Sequence, residues 1–192
     1  MGRTKEFDPD AALRRAMGLF WRQGYEATSM QDLVDCLGLG RGSIYGAFGG
    51  KRELYLQALR RYVEDSGQAF VEHLSAPGRA FDAVCGMIRH YAEMSVEDAE
   101  FKGCFMVNTA VELPADEQAG RQVESSLSVM ETALTSALMR ARAEGDLPEG
   151  RDPAALARFL VTLLQGMRVV GKTRARGRYL EDTVEQAIAL LK

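Results

Sequence analysis

The 192 residues, 46% apolar and 27% charged, give room for one large domain or a small domain fused to a larger one, with the balance of an ordinary globular protein. Three widely spaced cysteines with no CxxC, and only two histidines, argue against a disulfide framework and against any metal site; no apolar run approaches the roughly 18–20 residues of a membrane span, and residues 1–12 are too polar for a secretory leader, so a cytoplasmic protein is expected. The net charge of −3 by itself argues against nucleic acid, but residues 1–61 carry +3 and the remainder −6, so a polyanion partner would be met at the N-terminal end.

No segment sustains a period of two, and the punctuation falls where helix ends belong, so an all-α fold of about nine helices is expected. Asp8-Pro9 supplies an N-cap and a proline at N1, and Leu13, Ala16, Met17 and Phe20 mark one face until Gly24 stops the first helix. Thr28 with Gln31 has the spacing of a capping box for a second helix, whose stripe of Met30, Leu33, Val34 and Leu37 ends at Gly38. A Gly40 N-cap flanked by Leu39 and Ile44, a hydrophobic staple, opens a third, with Ile44, Ala47 and Phe48 on its inner face and Gly49-Gly50 as the break. The fourth runs from Lys51 towards Leu74, where Pro77-Gly78 interrupts it. Five more are expected over about 79–95, 101–113, 115–145, 152–171 and 179–191.

The stretch "GLGRGSIYGAFGGK", residues 38–51, holds six glycines in fourteen residues, each a cost inside a helix. A short helix pair joined by a glycine-containing turn, after a longer first helix, is a helix-turn-helix, whose second helix enters the major groove. Small residues at Gly42 and Gly46 let that helix lie close to a duplex. Arg41 has the fork for guanine O6 and N7, and Ser43 suits several base edges. Thr28, Tyr45 and Lys51 suit phosphate, Lys51 with the added pull of a helix N-terminus. Spacing alone leaves open a plain helical hairpin with solvated charges.

Residues 24–59, "GYEATSMQDLVDCLGLGRGSIYGAFGGKRELYLQAL", closely resemble the DNA-binding region of tetracycline-repressor (TetR) family regulators. The pattern is met by Gly24, Tyr25, Thr28, Ser29, Arg41, Gly42, Ser43, Ile44, Tyr45, Phe48 and Lys51. The resemblance implies a homodimer with a helix-turn-helix reader of palindromic double-stranded DNA over residues 1–50 and a larger helical domain for dimerisation and an inducer over 51–192. Gly40 replaces a frequent serine or threonine, and Gly46-Ala47 a bulkier pair, so base reading is expected to rest on Arg41, Ser43 and DNA shape.

In the C-terminal part, "FKGCFMVNTAVELP" (residues 101–114) sets Cys104, Val107, Asn108 and Val111 on one helical face. Asn108 needs a partner if buried, either a backbone carbonyl or a ligand group. Cys104 reads as a small buried hydrophobe or, at a helix N-terminus, as a reactive thiol; its Gly-Cys opening resembles family members whose cysteine senses electrophiles or oxidants. Met87, Ile88, Tyr91, Met130, Leu134, Phe159 and Leu163 are core or the lining of a pocket for an apolar or aromatic effector, with His90 and Gln165 as polar candidates. The apolar faces of the last two helices suit an isologous four-helix interface, and Lys172, Arg174, Arg176 and Arg178 fall in the loop between them. No nucleophile motif or phosphate loop points to an enzyme, and no cofactor is expected. The expected function is a transcriptional repressor relieved by a small molecule, with the fourth helix as the lever; redox or electrophile sensing through Cys104 is the alternative, and a helical interaction module without DNA binding the rival.

Overall fold

The computed structural model describes residues 7–192; residues 1–6, half of the polar N-terminal stretch, lie outside the described residues. Among the described residues there are nine helices and no strand: α1 (Pro9–Gln23), α2 (Met30–Leu37), α3 (Arg41–Phe48), α4 (Lys51–Leu74), α5 (Ala80–Glu97), α6 (Phe105–Glu112), α7 (Glu117–Ala143), α8 (Pro153–Val170) and α9 (Arg176–Leu191). Local chemistry sets the ends. Asp8, Asp116 and Asp152 each accept first-turn N–H groups as N-caps, with prolines at the start of α1 and α8.

Two differences from the expected elements have clear causes. The capping box of α2 lies one residue along: Ser29 Oγ accepts from Asp32 N at 3.1 Å and Asp32 Oδ2 from Ser29 N at 2.7 Å. Thr28 is fully buried instead, its hydroxyl donating to Gly24 O at 2.6 Å. At the other end, α9 begins at Arg176 rather than near 179, because the Arg176 guanidinium donates to Asp98 O and Gly171 O and covers the Phe101 ring. Arg176 and Arg178 therefore belong to a helix and not to the loop.

The helices build two cores that meet along α4. The N-terminal core gathers Ala16, Phe20, Leu33, Ile44 and Phe48, but continues into α4 at Leu54–Leu59 and takes in Phe105 of α6 and Ala119 of α7. Leu39 packs against the same core as Ile44, in keeping with a staple. Ala47 does not join it; that residue is exposed, leaving Ile44 and Phe48 as the inner face of α3. The second core collects Phe70, Val84, Met87, Ile88, Leu134, Leu160 and Leu164 from α4, α5, α7 and α8, with Leu180, Ala187 and Leu191 of α9. α7 packs against α4, α5 and α8, and α5 against α9. Eighteen residues long, with a mean hydropathy of 1.3, α8 has the length and composition of a membrane span, but it is packed into this bundle and carries Arg158 and Arg168.

Candidate nucleic-acid interface and effector cavity

α3 is anchored through Ile44 and Phe48 and turns its remaining residues outward. Arg41, Gly42, Ser43 and Gly46 are exposed, and Tyr45 is 54% exposed. A Cβ added at Gly42 or Gly46 would meet nothing within 4 Å, so none of the described residues covers this face. The turn behind it is tight: Gly50 has φ +136°, and a side chain there would press on the Tyr45 ring at 3.2 Å. That constraint seats the Tyr45 ring at the start of α4, with its hydroxyl end free.

The phosphate-binding candidates divide. Ser29 is exposed; its oxygen accepts from Asp32 N while its own proton stays available to an acceptor outside. Lys51, the first residue of α4, holds its Nζ 4.2 Å above the Tyr25 ring, a cation–π contact that aims the ammonium beside α3. Thr28 is the exception. Buried and spent on Gly24 O, it shapes the α1–α2 turn and presents nothing to a ligand.

The expected effector residues fall in five places. Met87, Tyr91 and Cys104 line a partly open cavity of about 180 Å³ among α4, α5, α6 and α8, together with Tyr62, Phe70, Met94 and Arg168 and with the exposed Ser66, Ala69 and His90. Ile88, Met130 and Leu134 are sealed in the core and do not reach it. Val107 and Val111 face a separate surface groove with Val123 and Thr162, because Cys104, the N-cap of α6, has extended rather than helical backbone and does not share their helical face. Phe159 and Leu163 look outward, into a groove between α8 and α9 shared with Tyr179 and Leu190. Asn108 is structural: its Nδ2 donates to Lys102 O at 2.8 Å and its Oδ1 accepts from Lys172 Nζ at 3.1 Å.

Within the cavity, the Tyr62 hydroxyl donates to Cys104 Sγ at 3.6 Å. Burial first, and Cys104 beside it, push the Tyr62 phenol well above its ordinary value, and burial does the same for Tyr91, so both remain proton donors. His73 and His90 stack at the rim with ring centroids 5.9 Å apart.

Cavity and reader are tied through α6, a connection that sequence patterns did not reveal. At its start, Gly103 O accepts from Arg168 Nη2 at 2.6 Å and from Trp21 Nε1 of α1 at 3.2 Å. In its middle, Thr109 donates to Phe105 O, so the Tyr55 hydroxyl of α4 donates to Thr109 Oγ1 at 2.8 Å in a buried pair. Burial raises the Tyr55 phenol to about 12, which keeps that donor protonated. At its end, the Glu112 carboxylate accepts from Tyr25 N (2.9 Å) and Glu26 N (2.8 Å) in the reader's α1–α2 turn. A Cβ at Gly24 would stand 2.8 Å from that carboxylate, so glycine admits the clasp. Alongside, Arg52 donates twice to Asp116 at 2.9 and 3.1 Å. These partners lie more than 50 residues apart, and only one signal in the sequence, the invitation of Gly24 to a close neighbour, bears on any of them.

Comparison with known proteins gives the same layout. Residues 12–58 match the family model of bacterial regulatory proteins, tetR family, and residues 80–189 match the tetracyclin repressor-like C-terminal domain. The HTH-type transcriptional regulator YezE of Bacillus subtilis (strain 168) is 35% identical over all of both chains. The HTH-type transcriptional repressor ComR of Escherichia coli (strain K12) is 33% identical over the whole of this chain and 90% of its own. Among solved structures, a cysteine-substituted form of the TetR family transcriptional regulator CifR, complexed with 26-bp double-strand operator DNA, superposes with a TM-score of 0.85 at 31% identity over 100% of both chains.

Proposed function

The chain belongs to the TetR family of DNA-binding transcriptional regulators and is not an enzyme; we propose that it is a cytoplasmic repressor that binds palindromic operator DNA as a homodimer and is released by a small molecule. The observation that carries this reading is the uncovered outer face of α3, where Arg41, Ser43, Tyr45 and two glycines with open space stand together. Arg41 and Ser43 read base edges; Ser29, Tyr45 and Lys51 hold phosphates and fix register. The relatives support the repressor sign and the CifR complex supports the duplex partner. Dimerisation uses the outward apolar face of α8 and α9, where Phe159, Val169, Tyr179 and Leu190 are each 42–63% exposed.

Release follows from the α6 ties. A ligand in the cavity touches Arg168 and Cys104, which flank Gly103, and Gly103 O also holds Trp21 of the reader. A ligand that prefers one position of Gly103 biases the reader through Trp21 and Glu112, and its leverage is its differential affinity for the two positions. α6 shares the role with α4, which carries Tyr55 and Tyr62. The test is fluorescence anisotropy with a palindromic fragment from beside the protein's own gene. Nanomolar binding that falls steeply with salt is expected; equal affinity for an unrelated duplex overturns the reading.

A second reading rests on the Tyr62 hydroxyl directed at Cys104 Sγ inside the cavity: a thiol that an electrophile modifies, with the same release as the result. Mild quinone treatment followed by mass spectrometry tests it. Modification at Cys104 that abolishes operator binding in the native protein but not in Cys104→Ser is expected; modification with unchanged affinity refutes it.

A further inference from the structure

Arg168 is 6% exposed, and its guanidinium donates only to neutral acceptors, Ser95 Oγ at 3.2 Å and Gly103 O at 2.6 Å. Among the described residues none of the ion pairs includes it. Asp98 is close enough for its charge to be felt, but its carboxylate is held by Gly103 N at 2.8 Å rather than by the guanidinium. A guanidinium has five N–H donors, and two are accounted for here. A buried cation with neutral partners only is a large desolvation penalty unless something of opposite charge arrives.

The surroundings say what should arrive. Arg168 lines the partly open cavity, and among the described residues no aspartate or glutamate does; its ionisable lining is Arg168, His73, His90, Cys104 and the two tyrosines. Arg168 and the Tyr62 and Tyr91 hydroxyls, which can donate, share the lining with Phe70, Met87 and Met94, which furnish its apolar surface. The volume of about 180 Å³ is close to the roughly 150 Å³ cavity that holds one benzene ring.

We propose that this cavity binds a small organic carboxylate, with its oxygens on Arg168 and the Tyr62 and Tyr91 hydroxyls and an apolar body of about one ring against Phe70, Met87 and Met94. The inference rests on the effector reading above and gives that effector a chemical class. It also explains the geometry of release: a carboxylate drawing on Arg168 competes with Gly103 O, the atom that Trp21 holds.

Calorimetric titration of the full chain with benzoate and with benzamide, its neutral isostere, tests the proposal. Benzoate is expected to bind at least about tenfold tighter, since the difference is a charge-assisted bond to a buried group. Arg168→Gln, which keeps an amide donor for Gly103 O, is expected to weaken benzoate about tenfold and leave benzamide nearly unchanged. Should that variant fail to fold, the benzoate–benzamide ratio on the native chain still decides. Equal affinities, or no benzoate binding, overturn the anion site. Operator binding measured on the same preparation separates the two readings. Release of DNA by benzamide but not benzoate removes the anion assignment alone; benzoate binding by a protein that ignores every operator fragment upholds the site and removes the regulator reading.

Discussion

Gly42 and Gly46 weaken α3 as a helix, and among the described residues nothing fills the space they leave. If closeness to a duplex is their use, replacing both by alanine should stabilise the free protein by about 0.5–1 kcal/mol per site and weaken operator binding. Thermal melting and anisotropy on the same variant check both signs; a variant that melts higher and binds unchanged would show that the glycines have no part in the approach. Arg41→Ala with Ser43→Ala should lose about 1–3 kcal/mol of base discrimination per good contact while the melting temperature stays put, because both residues are exposed. This face was legible in the sequence, since fixed spacing on one short helix determines which side chains share a side. Thr28 was not: its hydroxyl could cap α2 or turn inward, and the choice depends on the Gly24 carbonyl that the turn brings within 2.6 Å. Arg168 was hidden for a similar reason, one of two arginines in an apolar helix, with partners that come from α5 and the approach to α6.

At the scale of elements, α6 is the short helix on which both halves depend. Its start was read too early in the chain, because "FKG" precedes a positive φ at Gly103 that makes the segment before Phe105 a loop. Its connections were not legible at all, being pairs such as Glu112 with Tyr25, 87 residues away. Glu112→Ala removes a charged acceptor from two backbone N–H groups and should destabilise the reader by about 1.5–3 kcal/mol, with a fall in operator affinity although no DNA-facing residue changes. Hydrogen exchange at Tyr25 and Glu26 is the direct measure; unchanged protection there would mean that the clasp is ornamental. The α4–α7 junction adds a pH term. Asp116 is held below the usual carboxylate range, first by the Ala119 N–H and then by Arg52, against an opposing effect of burial. A carboxylate lowered in the folded state contributes stability that is complete above its unfolded value and lost as pH falls through the folded one. Melting between about pH 5 and pH 2 should therefore decline more steeply in the native protein than in Asp116→Asn.

For the whole molecule, the order of the nine helices among the described residues followed from helical periodicity and punctuation, whereas the expected split between a small reader and a larger bundle came from the family resemblance. The two cores join more deeply than a boundary at residue 50 suggests, because α4 belongs to both and Phe105 sits in the reader's core. That shared packing makes the molecule suited to passing a change in the cavity to α3. On the proposed reading the dimer is decisive, since one reader alone would contact half a palindrome. Phe159→Glu with Leu190→Glu, placed on the exposed α8–α9 face, should yield a folded monomer by light scattering whose operator affinity falls at least about a hundredfold. The most direct measurement varies the DNA instead. Two α3 helices in a symmetric dimer should meet half-sites whose centres are about 10–10.5 base pairs apart. Inserting about five base pairs between the half-sites, a half turn of the duplex, moves them to opposite sides. The account predicts that anisotropy will show tight binding of two protomers to the native spacing and its loss on the shifted fragment; indifference to the insertion would contradict it.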